Sequence, residues 1–270
     1  MKPKLNIGAL ISGSGTNLQA ILDACQTGAI DGRIVFVGTD RPSAPGLERA
    51  QRLGIPTFSV DYAALIGAYR KDPGQMALPE DFELEKMIVR QDLVDASADR
   101  QRLKLFLETR ALAEAELLKR MAAYPLDLLV LAGFMRTLTP YFIDRINPAG
   151  GMPRIMNIHP ALLPAFPGID GYGDALRYGC KVAGCTVHFV DYGEDTGPII
   201  GQKAFAIEVG DTLETVRRKG LALEWQLYPE CIQLYAEGRL KLRTRPDSQS
   251  RTASVKRTVV EILPERASRP

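Results

Sequence analysis

A chain of 270 residues with 46% hydrophobic and 24% charged side chains has the makeup of a globular protein of one or two domains with a substantial core. A net charge of +2 is too small to argue for nucleic-acid binding. Four scattered cysteines (Cys25, Cys180, Cys185, Cys231) and two histidines make neither a zinc pattern nor a disulfide framework, so no metal is expected. The chain has no apolar run long enough for a bilayer, and its start runs straight into a strand, so a cytoplasmic protein without a membrane partner is expected.

Strands and helices alternate along the sequence. Leu5–Ile11 reads as a buried strand and 12–17 as a turn. A helix is predicted over 18–26, with Leu18, Ile21, Leu22 and Cys25 at helical spacing. A second strand falls at 34–37, a short helix at 46–53 and a third strand at 56–60. The long amphipathic helix over 105–123 leads to 126–132, an unbroken apolar strand suited to the middle of a parallel sheet. The next strand ends at His159, and a Pro/Gly-rich loop covers 164–173. Strands at 184–190 and 199–205 precede a helix over 212–237. This alternation predicts an α/β fold: a doubly wound, mostly parallel sheet with a Rossmann-like N-terminal half.

Two stretches break the rhythm. Residues 63–104 are charged and helix-prone, with breaks at Asp72-Pro73-Gly74 and Leu78-Pro79, and read as a helical insertion: a solvated decoration, a lid or an oligomer contact. From Lys241 onward eight basic residues face three acidic ones (Asp247, Glu261, Glu265) among Ser and Pro. A basic, flexible tail over 243–270 is therefore expected beyond a domain spanning 1–242, with an edge strand at 255–263 as the alternative.

Three features carry chemistry. Asn157 and His159 close a strand before Pro160, and side chains two apart on a strand share a face. An amide and an imidazole thus stand together at a strand terminus, where open α/β sheets place their chemistry. A satisfied histidine beside a turn asparagine is the plainer alternative. In the first turn, Gly13 and Gly15 allow backbone N–H groups to approach an anion at a helix N-terminus, with Thr16 and Asn17 as further donors. Leu18 occupies the place of the third glycine of a dinucleotide fingerprint, so the turn reads as a single-phosphate cradle or simply a helix cap. Asp195 lies in a Gly/Pro turn and either closes it or, if the fold returns it to the strand end, favours the charged form of the imidazole. The amide and imidazolium would then be donors for a developing oxyanion. No Gly-x-Ser-x-Gly elbow supports a serine nucleophile.

Several segments together carry a resemblance: Ile11-Ser12-Gly13-Ser14-Gly15-Thr16-Asn17-Leu18-Gln19-Ala20, Leu131-Ala132-Gly133-Phe134-Met135-Arg136, 156–164, Thr186-Val187-His188-Phe189-Val190, Asp195-Thr196-Gly197-Pro198 and 224–229. In this order they resemble the phosphoribosylglycinamide formyltransferases, a folate-dependent family of purine biosynthesis. The resemblance implies the formyltransferase fold, with catalytic residues at Asn157, His159 and Asp195. It implies a phosphate turn at Gly15, Thr16 and Asn17, with Glu224 on the ribose hydroxyls of glycinamide ribonucleotide. The folate pocket falls on Met135, Arg136 and Leu138, with Arg110 toward the folate's acidic tail. The implied co-substrate is 10-formyltetrahydrofolate, without a metal, and a homodimer is left open. His188 matches a family histidine read as structural.

The chain departs from the family pattern in places. Loop 169–174 lacks a customary histidine, the 63–104 insertion is absent from compact members, and Leu221 stands where polar residues are common. Arg217, Arg218 or Lys219 would then supply the phosphate contact. The rival readings are a formyltetrahydrofolate hydrolase, a formyltransferase for another amine, and a non-catalytic folate- or nucleotide-binding regulator.

Overall fold

The computed structural model describes residues 3–94, 99–246 and 256–265. Strands β1 (Leu5–Ile11), β2 (Gly32–Thr39), β3 (Thr57–Ser59), β4 (Leu128–Leu131), β5 (Ile155–His159), β6 (Val182–Phe189) and β7 (Ile199–Ala206) form one seven-stranded sheet. Its order is β3-β2-β1-β4-β5-β6-β7. β1 to β5 run parallel, whereas β6 lies antiparallel to both β5 and β7. The mostly parallel, doubly wound expectation holds, and the reversal of direction falls next to the strand that carries Asn157 and His159.

The apolar alternation along each strand decides which layer it feeds, because successive side chains point to opposite faces. Ile7, Ala9 and Ile11 of β1, Leu128 and Val130 of β4 and Met156 and Ile158 of β5 pack into one core. That face is covered by α1 (Thr16–Thr27) and α8 (Leu213–Glu237), through Leu18, Ile21, Leu22, Leu227 and Tyr228. Leu10, Leu129, Leu131 and Ile155 point the other way. There they meet α5 (Arg100–Met121) through Ala113, Leu117 and Met121, and α6 (Pro140–Ile146) through Phe142 and Ile143. Burying one such Leu or Phe side chain contributes roughly 1.5–3 kcal/mol.

The remaining helices are α2 (Leu47–Gln51), α3 (Tyr62–Lys71), α4 (Leu84–Arg90) and α7 (Gly171–Tyr178). The 63–104 stretch holds α3, a 3-10 turn at Pro73–Gln75 and α4, while residues 95–98 lie outside the described residues. Its own small core, Met87 with Leu103, Leu107, Ala111 and Tyr141, docks it on α5 and α6.

Three elements differ from the sequence expectation. α6 starts from Thr139 with Pro140 in its first turn, a start signal overshadowed by the more apolar strand before it. α7 falls inside the expected 164–173 loop and beyond it; Gly171 and Gly173 hide it, since glycine is a poor helix former. Where the tail is described, the alternative of a strand at 255–263 is met, and a second strand joins it. β8 (Leu240–Pro246) pairs antiparallel with β9 (Lys256–Ile262), while 247–255 and 266–270 lie outside the described residues. Leu240 faces Ile262 and Leu242 faces Val260 across this ladder, and Leu240, Leu242 and Val260 pack on the α8-side core. A period-two apolar row concealed among Lys and Arg thus outweighs the polar composition.

Candidate active site

β5 ends the site's strongest row. Asn157 and His159 continue the face of Ile155, and the antiparallel register puts Asn157 opposite His188 and His159 opposite Thr186. The Asn157 amide Nδ2 lies 3.2 Å from His188 Nε2. His188 Nδ1 is 2.9 Å from the Phe189 carbonyl, an acceptor, so Nδ1 carries a proton. Asn157 keeps a second N–H for another acceptor. Buried Tyr228 of α8 donates to the carbonyls of Met156 at 2.8 Å and Leu131 at 3.2 Å, tying together the ends of β5 and β4.

His159 is 3% exposed and faces an acceptor on each side. Its Nδ1 lies 3.2 Å from Asp195 Oδ2 and its Nε2 2.8 Å from the Phe166 carbonyl oxygen. A carboxylate and a carbonyl both accept, so the doubly protonated ring is the form that satisfies both contacts. Asp195 stands at φ 55, a left-handed conformation that costs about 1 kcal/mol and that Asp tolerates better than most residues. Burial opposes ionisation of its carboxyl. Hydrogen bonding and charge from His188, the charge of His159 and the Gly168 N–H at 2.9 Å outweigh that and hold its pKa below the usual carboxylate value. His188 Nε2 is also 3.5 Å from Asp195 Oδ1. His188, expected as a structural histidine, therefore touches both Asn157 and Asp195. The cross-strand register is the signal that finds it, and it is legible only once β6 is known to run antiparallel.

These groups open on a cavity of about 420 Å³ whose wall also includes Asn17, Met135, Arg136, Leu138, Tyr172 and Glu224. Glu224, 5% exposed on α8, accepts from Asn17 Nδ2 and from Tyr172 Oη, each at 2.7 Å. Each oxygen retains a lone-pair direction for a ligand hydroxyl. Tyr172 can reach it because the ring crosses Gly220, where a Cβ would stand 2.1 Å from the ring.

Gly15 lies at the mouth of α1 with φ 69, a conformation that favours glycine, and the first turn of the helix carries no acidic residue. Its leading N–H groups have no intrahelical acceptor, which makes this end an anion site. Gly15 and Thr16 are not on the cavity wall itself; Asn17 links the turn to it. Arg49, which has no local signal in the sequence, braces the turn by donating to the Ser14 carbonyl at 2.8 Å and to Gln19 Oε1 at 3.0 Å. Of the three basic residues considered for Leu221, Arg217 lines the cavity with Leu221 and is paired to Asp170 at 2.8 Å. Lys219 instead turns to Asp211 at 2.6 Å.

The expected folate residues divide. Met135, Arg136 and Leu138 line the cavity, and Arg136 Nε donates to Asp40 Oδ2 at 2.5 Å. Arg110 does not line it. Its guanidinium packs over Phe106 at 5.2 Å and over Tyr62 at 5.9 Å, the ring that Arg136 also faces at 5.6 Å. Burial lowers the Arg110 pKa, and its Nε and Nη1 have no hydrogen-bond partner. One turn along α5, fully buried Glu114 accepts from the Thr139 N–H at 2.8 Å and hydroxyl at 2.5 Å, and burial pushes its pKa up to about 8. Among the described residues no group of three His, Cys, Asp or Glu side chains could hold a metal ion. No helix among them is long and apolar enough to cross a membrane.

The family model for formyl transferases matches residues 5–232, which takes in every one of these site residues. The chain belongs to the formyl transferase family. It is 34% identical over 238 residues to the phosphoribosylglycinamide formyltransferase of Escherichia coli, covering 88% of this chain and 90% of that one. Identity to the Bacillus subtilis enzyme of the same name is also 34%, over 82% of this chain and 90% of the relative. Among solved structures, glycinamide ribonucleotide transformylase 1 from Symbiobacterium toebii superposes with a TM-score of 0.71 at 40% identity, covering 98% of this chain and 96% of that one.

Proposed function

We propose that this formyl transferase family member transfers the formyl group of 10-formyltetrahydrofolate to the amine of glycinamide ribonucleotide, in a cytoplasmic setting. The observation that carries the reading is one cavity shared by the Asn157, His159 and Asp195 cluster and by the Asn17–Glu224 pair at the mouth of α1. On this reading residues 1–242 form the catalytic domain with 63–104 as an insertion. Gly15, Thr16 and Asn17 take the phosphate, and Glu224 the ribose hydroxyls. Met135, Arg136 and Leu138 form the folate wall, and Arg110, set off that wall on Tyr62 and Phe106, adds positive charge toward the acidic tail.

The reaction then follows from charge. The neutral amine nitrogen attacks the formyl carbon, a C–N bond forms, and the carbonyl π electrons move onto oxygen. Asn157 donates its free N–H to that oxyanion. His159 redirects to it the Nε2–H now given to the Phe166 carbonyl, while Asp195 stabilises the imidazolium on the Nδ1 side. The attacking nitrogen loses a proton, relayed past Asp195 through water to N10 of the folate. The C–N10 bond breaks to release tetrahydrofolate and formylglycinamide ribonucleotide. Loss of one oxyanion donor costs on the order of 10²–10³ in rate, so Asn157→Ala and His159→Ala are expected to fall in that range.

The test is purified chain with 10-formyltetrahydrofolate, with and without glycinamide ribonucleotide. Folate turnover only when the amine is present is the expected result. Equal turnover without it would convert the reading to a hydrolase, and no turnover at all would refute both.

A further inference from the structure

The turn that presents Asp195 is held from outside the site by the inserted segment. After α4 the chain passes along the 191–196 turn: the Asp92 N–H donates to the Tyr192 carbonyl at 2.9 Å, and Asp92 forms a parallel bridge with Gly193. The last residue of α4, Arg90, reaches the same turn by side chain. One guanidinium nitrogen lies 2.5 Å from Tyr192 Oη, another is 2.6 Å from Asp144 Oδ2 of α6, and the group stacks 5.0 Å from the Tyr192 ring centroid. Tyr192 Oη donates to Asp144 Oδ1 at 2.6 Å, closing a triangle of Arg90, Tyr192 and Asp144.

Tyr192 lies three residues from Asp195. Across the turn, Gly193 N–H and Thr196 Oγ1 both donate to Asp191 Oδ1, at 3.3 and 2.6 Å, which ties its two ends together on either side of Tyr192 and Asp195. Asp195 itself needs such support because its backbone is left-handed.

We propose that Arg90 is a positioning residue of the site: through Tyr192 it fixes the 191–196 turn so that Asp195 keeps its contacts with His159 and His188. The 63–104 insertion is thereby a brace for the reaction and not a solvated decoration. The kinetic consequence rests on the formyl-transfer reading; the positional one does not.

The experiment uses the full chain, with Arg90→Ala, Tyr192→Phe and, on the same helix, Lys86→Ala, an exposed side chain paired only with Glu83 at 3.4 Å. Two readouts are taken: steady-state kinetics, and the pH titration of labelled histidine side chains by NMR. The second is clean because the chain has only two histidines, both touching Asp195. Arg90→Ala should lower kcat about tenfold, within the roughly 100-fold that a 1 Å misplacement costs, with KM for glycinamide ribonucleotide little changed. The acid limb of its pH profile should move upward as Asp195 loses the partners that favour its charge, and both histidine titrations should shift. Tyr192→Phe, which removes a single oxygen, should shift them in the same sense and carries the test if Arg90→Ala does not fold. Unchanged histidine titrations with an unchanged kcat would overturn the inference, as would equal effects from Lys86→Ala. A wild-type chain without formyl transfer, but with histidines that respond to Arg90→Ala, would sink the activity reading and leave the positioning role standing.

Discussion

Replacing Glu224 by Gln separates charge from hydrogen bonding at the proposed ribose site. The carboxylate accepts from Asn17 on one oxygen and from Tyr172 on the other, both at 2.7 Å. A carboxamide can keep its oxygen toward Tyr172 but turns an NH2 toward Asn17. Asn17 can answer this by rotating its own amide, because its Oδ1 is buried without a partner and would gain one. Both bonds survive, but as neutral ones. Bonds to a charged group contribute about 1.5–3 kcal/mol against about 1 kcal/mol for neutral ones, so the net loss from two is roughly 1–4 kcal/mol. Relief from burying a charge offsets part of it in the free protein. Urea unfolding of Glu224→Gln should therefore stay within about 1 kcal/mol of wild type, while kcat/KM for glycinamide ribonucleotide drops roughly ten-fold through KM. Glu224→Leu has no such escape: the Tyr172 hydroxyl and the Asn17 amide are both left unpaired, at about 1–3 kcal/mol each. A Glu224→Leu protein as stable as wild type, or a Glu224→Gln protein with unchanged KM and lowered kcat, would refute this account.

Tyr228→Phe removes the one donor shared by the carbonyls of Met156 and Leu131 and should cost about 1–3 kcal/mol in urea unfolding. Gly220→Ala places a methyl against the Tyr172 ring and should destabilise by about 1–3 kcal/mol, while raising KM for the ribonucleotide as Tyr172 leaves Glu224. The raised pKa of Glu114 predicts a pH effect of definite sign. Its folded pKa of about 8 lies above the ordinary 4.5, so its stabilising contribution is complete below pH 4.5 and is lost as pH rises through about 8. Glu114→Gln should flatten that loss; urea midpoints measured from pH 5 to 9 that fall equally in both proteins would contradict it.

The sheet could be read from the sequence because its strands are nearly pure: the apolar run through Leu128–Leu131 and the alternation into Asn157 and His159 admit few other elements. Asn157, His159 and the Gly15 turn were legible because strand periodicity and glycine geometry are local. What stayed hidden depends on contacts far apart in sequence. His188 acquires its place only by lying across the ladder from Asn157, and Arg49 only by folding back onto Ser14. Arg110 illustrates the reverse: a charged residue on an amphipathic helix looks solvent-facing, yet packing against Phe106 and Tyr62 draws it in against those rings and off the cavity wall. In the tail, β9 falls on the alternative strand at 255–263, while β8 is masked because composition averages over the very alternation that builds it.

The change of strand direction between β5 and β6 divides responsibilities within the molecule. Asn157 and His188 are registered by a continuous ladder, so their spacing is set by the sheet alone. Everything between those strands, from Pro160 to Lys181, is an excursion that leaves the ladder and returns to it, bearing the Phe166 carbonyl, the Gly168 N–H and Tyr172 on the way. The ladder keeps the amide and the imidazole opposite it in register, whereas the contacts on His159 and Asp195 from the Phe166 carbonyl and the Gly168 N–H depend on the path of the excursion. The excursion therefore serves both the catalytic cluster and, through Tyr172 on Glu224, the proposed ribose side of the cavity, so a change in its path reaches both.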